Sequence, residues 1–273
     1  MVGSGSEHDV HWWGADLGPG VRAGVTTRAG GVSEEPYASL DLAFHVGDAP
    51  AAVSTNRERV AARLGFPVVY ANQVHGTHVV AVGPENGPPS DGGGAAETVG
   101  DADGLVTAQP RVGLAVMVAD CLPVLLADPE QGVVGAAHAG RRGLVDGVVP
   151  AVVDAMTRLG ARTERIRCFL GPAICAACYE VGAEVRDDVA RSVPAAAATT
   201  RWGTPAVDLV AGVMAQLAAA GVADAESSGA CTVEDLRFYS YRRDGRTGRF
   251  AGVIAMDGDD TPPPFVSRVQ SLV

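Results

Sequence analysis

The sequence has no long apolar run. No stretch approaches the roughly 18 uninterrupted apolar residues expected of a membrane helix, and the polar start at residues 1–9 has no apolar region of the kind found in signal peptides. We therefore expect a cytoplasmic protein without a membrane partner. A chain of 273 residues with 47% hydrophobic content can bury a substantial core, and its length requires no second domain. We expect one catalytic domain over residues 1–273.

The sequence also lacks an excess of positive charge. Its formal net charge is −11 and its pI is about 4.9, which argues against nucleic-acid partners because binding to a phosphate backbone normally needs a broad basic face. Arginines are nevertheless clustered at Arg141 and Arg142, and again between Arg237 and Arg249. We interpret these clusters either as a small cationic pocket for phosphate or as solvated basic turns.

Two architectures are excluded because their patterns are missing. No Gly-x-Gly-x-x-Gly opens a strand–helix unit, and no internal repeat is visible, so a Rossmann fold and a solenoid are not expected. Residues 51–64 and 144–159 have helical spacing, whereas residues 83–104 are rich in glycine and proline and are predicted as a surface loop. The irregular alternation of strands and helices favours an α/β fold of mixed α+β type, with a layered mixed β-sheet core and outer helices.

The cysteines do not indicate a disulfide framework. There are five of them, an odd number, and cysteines mostly stay reduced in the cytoplasm. Cys175 and Cys178 form a single Cys-x-x-Cys pair. That pair is a weak signal for metal or redox chemistry, because no second cysteine pair accompanies it.

Three metal-ligating residue types each lie in a motif marked by glycine or proline. They are His75 in Asn-Gln-Val-His-Gly, Cys121 in Ala-Asp-Cys-Leu-Pro, and His138 in Ala-His-Ala-Gly-Arg-Arg-Gly. Cys121 and His138 each end an apolar run, so we expect them at the carboxyl ends of buried strands. Two imidazoles and one thiolate suit zinc or copper, and three protein ligands leave a coordination position open. The alternative is that the three residues have no special role.

These motifs occur in the same order in a known family. The chain resembles the YfiH-like laccase-domain proteins, which are also described as polyphenol oxidoreductases and purine nucleoside phosphorylases. The resemblance runs from about residue 21 to residue 256 and includes Thr-Thr-Arg-Ala-Gly-Gly-Val-Ser at 26–33, His-Val-Gly-Asp at 45–48, Asn-Arg at 56–57, Asp-Ala-Asp-Gly at 101–104, Gly-Pro-Ala-Ile at 171–174, Cys-Tyr-Glu-Val at 178–181 and Tyr-Ser-Tyr-Arg-Arg-Asp at 239–244.

The resemblance implies a fold similar to that of toxin deamidases and a zinc-dependent purine nucleoside enzyme. The implied reactions are phosphorolysis of adenosine, inosine, guanosine or methylthioadenosine, and deamination of adenosine, so the expected partners are purine nucleosides and inorganic phosphate. One departure is Arg141, which stands where the family commonly has tryptophan. No aromatic ring is therefore present at that position to stack on a base.

Roles follow for individual residues. We expect His75, Cys121 and His138 to bind Zn²⁺, and Cys121, His138 and Arg57 to be catalytic. A guanidinium holds two phosphate oxygens at once, so Arg57 is assigned to phosphate. For contacts to the substrate we select Arg28, Gln73, Glu180 and Arg142. Asp120 is expected either to orient a ligand histidine or to cap a turn.

Three other functions are alternatives to a zinc-dependent purine nucleoside enzyme. The first is a copper-dependent polyphenol oxidoreductase, which the six histidines disfavour because none forms the paired His-x-His motif of multicopper oxidases. The second is a metal-free cysteine hydrolase in which Cys121 is the nucleophile and His138 its base. The third is a non-enzymatic interaction protein, which the polar motifs disfavour.

Overall fold

The computed structural model describes residues 10–85 and 98–258. Along the chain the helices are α1 (Pro50–Leu64), α2 (Arg141–Asp146), α3 (Val148–Arg158), α4 (Ala183–Ser192), α5 (Leu209–Ala219) and α6 (Tyr241–Asp244). The strands are β1 (Trp12–Ala15), β2 (Val21–Thr26), β3 (Val68–Asn72), β4 (Val79–Ala81), β5 (Thr98–Asp101), β6 (Gly104–Thr107), β7 (Gly113–Val118), β8 (Leu122–Asp128), β9 (Val133–Ala139), β10 (Arg167–Leu170), β11 (Ala197–Thr199), β12 (Pro205–Val207), β13 (Asp224–Ser227) and β14 (Phe250–Met256).

Two six-stranded sheets form the centre of the fold. Their strand orders are β1-β2-β14-β7-β3-β5 and β13-β10-β8-β9-β6-β4. Both sheets are mixed, since β7 pairs antiparallel with β14 and parallel with β3, while β10 pairs antiparallel with β8 and parallel with β13. Strands β11 and β12 form a separate antiparallel ribbon.

The two sheets pack face to face because their facing sides are apolar. Val116 and Val118 of the first sheet share one core cluster with Leu125 and Ala136 of the second, and Phe250 of β14 belongs to the same cluster. Each of these side chains is buried. The burial of this apolar surface away from water is the main source of the free energy that stabilises the packing of the two sheets.

Helices cover the outer face of each sheet. On the first sheet, Met117 of β7 packs in a cluster with Val60 and Leu64 of α1. On the second sheet, Leu126 of β8 packs in a cluster with Met156 of α3. Strands β7, β8 and β9 are therefore buried on both faces, which explains why they read as continuous apolar runs. The order of layers is helix, sheet, sheet, helix, and the predicted layered fold of mixed α+β type is confirmed.

Two local predictions are wrong. The single helix expected over residues 144–159 is two helices, because Gly147 between α2 and α3 has a φ of 89°, a left-handed conformation that ends helices and favours glycine. The surface loop expected over residues 83–104 contains a strand, since β5 pairs in parallel with β3. Residues 86–97 of that loop lie outside the described residues. No helix in the described part of the chain has the length and apolarity needed to cross a membrane.

Candidate metal centre

His75, Cys121 and His138 meet where the chain passes between the two sheets. His75 follows β3 of the first sheet, Cys121 lies in the turn that leads from β7 into β8, and His138 is part of β9 in the second sheet. The three ligand atoms all lie within 4.8 Å of one another. Cys121 Sγ is 3.9 Å from His75 Nε2, and the two imidazole rings are 4.7 Å apart between centroids in an edge-to-face arrangement.

Asp103 orients both histidines. Its Oδ1 accepts a hydrogen bond of 2.7 Å from His138 Nδ1, and its carboxylate also accepts from the backbone N–H groups of His75 at 2.9 Å and Gly76 at 2.7 Å. The side chains of Asp103 and His138 are 0% and 3% exposed. A carboxylate that receives the Nδ1 proton fixes the tautomer in which Nε2 is available to a metal. The placement of Asp103 is thus that of an outer-shell partner of a metal ligand.

The neighbouring groups shift the pKa values of Cys121 and His138. Burial raises the pKa of Cys121, but the charge and hydrogen bonds of His138 and His75 outweigh burial and lower it to about 6. Burial lowers the pKa of His138, whereas the charge of Cys121 and the hydrogen bond to Asp103 raise it to about 9. The pKa of Asp103 is lowered, because its bonds to His138 and to backbone N–H groups outweigh burial. A thiolate is therefore present at neutral pH, as a soft metal ligand requires.

The donor set fits a zinc-like ion with an open position. Two imidazole nitrogens and one thiolate sulfur converge, and the backbone leaves room for them only because residue 140 is glycine. A Cβ on Gly140 would lie 2.9 Å from His75 Cδ2 and 3.0 Å from Cys121 Sγ. Any side chain there would displace two of the three ligands. Three ligands in a group that borders a cavity are typical of catalytic metal sites.

The three ligands border a cavity of about 350 Å³, a size suited to a small molecule. One side of it is apolar, with Ile174 and Leu209. Positive charge comes from two arginines, Arg242 and Arg249, and the remaining polar and aromatic side chains include those of His45, Tyr179 and Tyr241. Burial lowers the pKa of His45, and the charges of Arg249 and Arg57 lower it further.

Of the predicted substrate contacts, Gln73 lines the cavity and Arg57 lies behind it. Both polar ends of the Gln73 amide are taken by Met117, since Nε2 donates to its carbonyl and Oε1 accepts from its N–H, each at 2.7 Å. Arg57 is 3% exposed. Its Nε donates to Leu42 O at 2.9 Å, and its guanidinium lies 3.9 Å from the ring centroid of Tyr70.

Three other predicted contacts are not among the described residues that line the cavity. Arg28 donates from Nε to Ala38 O at 2.9 Å. The backbone carbonyl of Glu180 accepts from Arg242 Nη1 at 3.0 Å. Arg142 is exposed on α2. Their contacts to substrate remain predictions.

Asp120 does not orient a histidine. Its Oδ1 accepts from Thr232 Oγ1 and its Oδ2 accepts from the backbone N–H of Arg242, both at 2.6 Å. Because Arg242 lies in the first turn of α6, the second interpretation, a turn cap, is the one that the geometry favours. Asp120 has a φ of 89°, so it also shapes the sharp turn that presents Cys121.

Sequence reasoning missed Asp103, His45 and Arg249. Asp103 and His45 both lie in motifs that carry the family resemblance, so those motifs were the available signal. Arg249 was counted only as part of an arginine cluster. None of these residues is near a metal ligand in sequence, and only the fold brings His45 and Arg249 to the cavity and Asp103 to His138.

Known proteins resemble this chain over most of its length. The family model described as multi-copper polyphenol oxidoreductase laccase matches residues 22–257. A protein named purine nucleoside phosphorylase from Streptomyces griseus is 54% identical over 235 residues, covering 85% of this chain and 93% of that protein. A crystal structure of a Neisseria meningitidis protein of the DUF152 family matches with a TM-score of 0.80 at 41% identity, covering 90% of this chain and 99% of that one.

A crystal structure of a Bacillus licheniformis protein named YfiH matches with a TM-score of 0.77 at 35% identity, covering 87% of this chain and 93% of that one. Sequence and structure thus lead to the same group of proteins. The chain belongs to the multi-copper polyphenol oxidoreductase laccase family, the YfiH-like laccase-domain family that its motifs resemble.

Proposed function

We propose that the protein is a zinc-dependent purine nucleoside phosphorylase. In this reaction a phosphate oxygen forms a bond to C1′ of the ribose, the bond from C1′ to the purine nitrogen breaks, and the products are a free base and ribose 1-phosphate. The observation that carries the proposal is one cavity bordered by three metal ligands and two arginines. The name of the Streptomyces griseus relative supports the same reaction.

Phosphate needs a cationic site, and Arg242 and Arg249 are the arginines that line the cavity. A guanidinium binds phosphate oxygens in a fork and keeps its charge at every physiological pH. We assign phosphate first to Arg249, whose side chain is half-buried and whose charge acts on His45. Arg57 contributes its charge from behind Met117, to which its Nη2 donates at 3.5 Å.

His75, Cys121 and His138 would hold Zn²⁺, which would supply a Lewis acid at the edge of the cavity. The donor set of two imidazoles and one thiolate suits zinc or copper, and we propose zinc because phosphorolysis uses a Lewis acid and involves no change of oxidation state. A multicopper centre would need many more histidines than the two in this group, and the other group of possible ligands in the described residues contains none.

The open position that three protein ligands leave favours adenosine deamination as a second reaction, in which water replaces the C6 amino group and ammonia leaves.

A different observation favours a cysteine hydrolase. Cys121 has a pKa of about 6, and His138 is held by Asp103, so the three residues have the order of a nucleophile, a base and its orienting acid. That enzyme would be active without metal.

The test combines products with metal content. Adenosine is incubated with the protein, with and without inorganic phosphate, and the products are separated. We expect adenine and ribose 1-phosphate only when phosphate is present, and inosine in either buffer. Activity should disappear with a chelator and return with Zn²⁺. Full activity in metal-free protein would instead support the cysteine hydrolase, and phenol oxidation in proportion to bound copper would support the laccase reaction.

A further inference from the structure

A second group of metal-ligating side chains lies beside the cavity wall. It consists of Cys175, Cys178, Cys231 and Glu234, whose sulfur and carboxylate atoms all lie within 4.8 Å of one another. The thiols are free. The ligand atoms of the candidate metal centre likewise all lie within 4.8 Å of one another. The Cys-x-x-Cys pair that the sequence left unaccompanied is joined by a third thiol and a carboxylate from a distant segment.

The four ligands come from two turns of the same kind. Cys175 and Cys178 are three residues apart, and so are Cys231 and Glu234. In the first turn the N–H of Cys178 donates to Cys175 O at 2.9 Å, and in the second the N–H of Glu234 donates to Cys231 O at 3.1 Å. A β-bridge between Ala173 and Cys231 holds the turns side by side. Paired ligands at this short spacing are typical of structural zinc sites.

Hydrogen-bond donors point at the sulfur atoms. The N–H of Cys175 donates to Cys231 Sγ at 3.4 Å, and Arg201 Nη2 donates to Cys178 Sγ at 2.8 Å. Arg201 also forms an ion pair with Glu234. Donors and a positive charge in these positions would stabilise the thiolates that form when a metal displaces the thiol protons. Three thiolates and a carboxylate around a divalent cation keep a net negative charge, which Arg201 reduces.

We propose that Cys175, Cys178, Cys231 and Glu234 form a structural zinc site, separate from the candidate metal centre. Zn–S bonds of about 2.3 Å place tetrahedral ligands roughly 3.8 Å apart, so a group whose atoms all lie within 4.8 Å of one another needs to close by about 1 Å at most. Thiolates select zinc over magnesium or calcium. As each Zn–S bond forms, the thiol proton passes to solvent. Four protein ligands leave no open position, which makes the role structural rather than catalytic.

The site would hold one wall of the cavity in place. Ile174 and Tyr179 line the cavity and directly flank the first turn. In the second turn, Thr232 follows Cys231 and donates to Asp120 at 2.6 Å, and Asp120 precedes Cys121. Zinc binding therefore fixes both the wall of the cavity and the turn that presents a ligand of the other metal.

The test measures zinc per chain in the full-length protein, purified without added metal. We expect two zinc ions in the native chain, one in Cys121→Ser, one in Cys178→Ser or Cys231→Ser, and none in the double variant Cys121→Ser/Cys178→Ser. Cys168→Ala is the matched control, because Cys168 is a buried thiol of β10 that belongs to neither group. It should keep both ions.

The Cys121→Ser protein provides a second measurement that keeps all four proposed ligands. After its metal is removed with a chelator, Co²⁺ should produce the intense charge-transfer absorption of a site with several thiolates, and Zn²⁺ should abolish it. Glu234→Gln should weaken zinc binding at least about tenfold, the smallest loss that follows from removing even an outer partner of a metal ligand.

Three results would overturn the proposal. They are zinc content that does not depend on Cys178 and Cys231, no cobalt–thiolate absorption in Cys121→Ser, and a disulfide within the group in freshly purified protein. Each concerns only the second group. Failure of the phosphorolysis assay would leave these measurements unchanged, so the two proposals can fail separately.

Discussion

The two groups of possible metal ligands differ in their electrostatic environment. At the candidate metal centre, the histidines lower the pKa of Cys121 to about 6 in spite of burial. In the second group, burial and the neighbouring thiols raise the pKa of Cys178 to about 12. His75, Cys121 and His138 border the cavity, whereas the second group has four ligands drawn from two turns.

The roles proposed for the two groups, catalytic and structural, cannot be assigned from ligand identity alone, because both groups contain cysteine. The pKa of Cys121, beside two histidines, is lowered to about 6, and in the proposed metal centre its three-ligand group would leave one position for substrate. A cysteine among other thiols stays protonated until a metal displaces the proton. The number of ligands and their partners therefore indicate the role, and both can be tested by changing matched residues.

Cys121→Ser against Cys178→Ser should give the largest difference. Loss of the metal at the cavity removes the Lewis acid. The activation free energy of phosphorolysis should then rise by at least about 4 kcal/mol, which lowers the rate roughly 1000-fold. Cys178→Ser should lower the rate by about tenfold, because it loosens a cavity wall without touching the substrate. The rate constants of both variants, measured at saturating zinc, check this. Equal losses would erase the distinction between the two groups.

The arginines beside each group give the next comparison. Arg249 lines the cavity, whereas Arg201 contacts Cys178 and Glu234. Arg249→Lys keeps the charge but loses the fork, so phosphorolysis should fall roughly 30- to 1000-fold, with the larger part in the KM for phosphate. Arg201→Lys should weaken zinc binding at the second group and leave the KM for phosphate unchanged. An unchanged KM in Arg249→Lys would move the phosphate elsewhere.

Arg57→Lys decides where the phosphate would then be. Arg57 is buried behind the cavity, so its substitution should affect phosphorolysis less than that of Arg249. A selective loss of phosphorolysis in Arg57→Lys, with adenosine deamination maintained, would restore the assignment of phosphate to Arg57. Equal loss of both reactions would show that Arg57 supports the fold.

Asp103→Asn should weaken zinc binding at the candidate metal centre about 10- to 100-fold, as expected when an outer partner of a ligand histidine is changed. Asp101→Asn is the matched control. Asp101 lies two residues away and accepts from Asn72 Nδ2 at 2.6 Å, but its carboxylate is exposed. Zinc titrations of both variants in a Cys178→Ser background measure binding at the candidate metal centre alone, because that substitution removes a ligand of the second group. Equal affinities would show that Asp103 does not orient the ligand histidine.

The sequence predicts local features better than distant contacts. Helix α1 and strand β9 match their predictions because each depends on the periodicity of neighbouring apolar residues. The break at Gly147 was missed because the residues on both sides continue a helical pattern. Only the geometry of the backbone reveals it.

The same limit explains what the sequence shows of the two metal groups. The motifs around His75, Cys121 and His138 predict a common site, and these three ligand atoms lie together. Nothing near Cys175 in the sequence indicates Cys231 as a partner, because a parallel pairing at Ala173 brings them together across the fold. Contacts of this kind depend on strand order, which periodicity does not encode.

The last comparison concerns stability and separates Asp103 from another buried carboxyl group, Asp41. Asp103 has a lowered pKa because His138 and backbone N–H groups outweigh its burial. Burial raises the pKa of Asp41 from 3.8 to about 7, although Arg249 and Ala43 donate backbone N–H groups to it. Between pH 3.8 and about pH 7, Asp41 is protonated in the folded protein but has released its proton in the unfolded chain. Stability from this group is therefore present below about pH 4 and is lost as pH rises towards 7.

Asp41→Asn removes that loss because an amide does not titrate. The free energy of unfolding of the variant, relative to the native chain, should rise by roughly 2–4 kcal/mol between about pH 4 and pH 7 and then stay level. Urea unfolding of both proteins across this range measures the difference. The pH dependence is opposite for Asp103, because its pKa is lowered in the folded protein. Asp103 stabilises the protein at pH values above the pKa that it has in the unfolded chain, and this stabilisation is lost in acid. If the difference in unfolding free energy between the variant and the native chain does not change with pH, the pKa of Asp41 is not raised in the folded protein. The proposed contrast with the pKa of Asp103 would then be wrong.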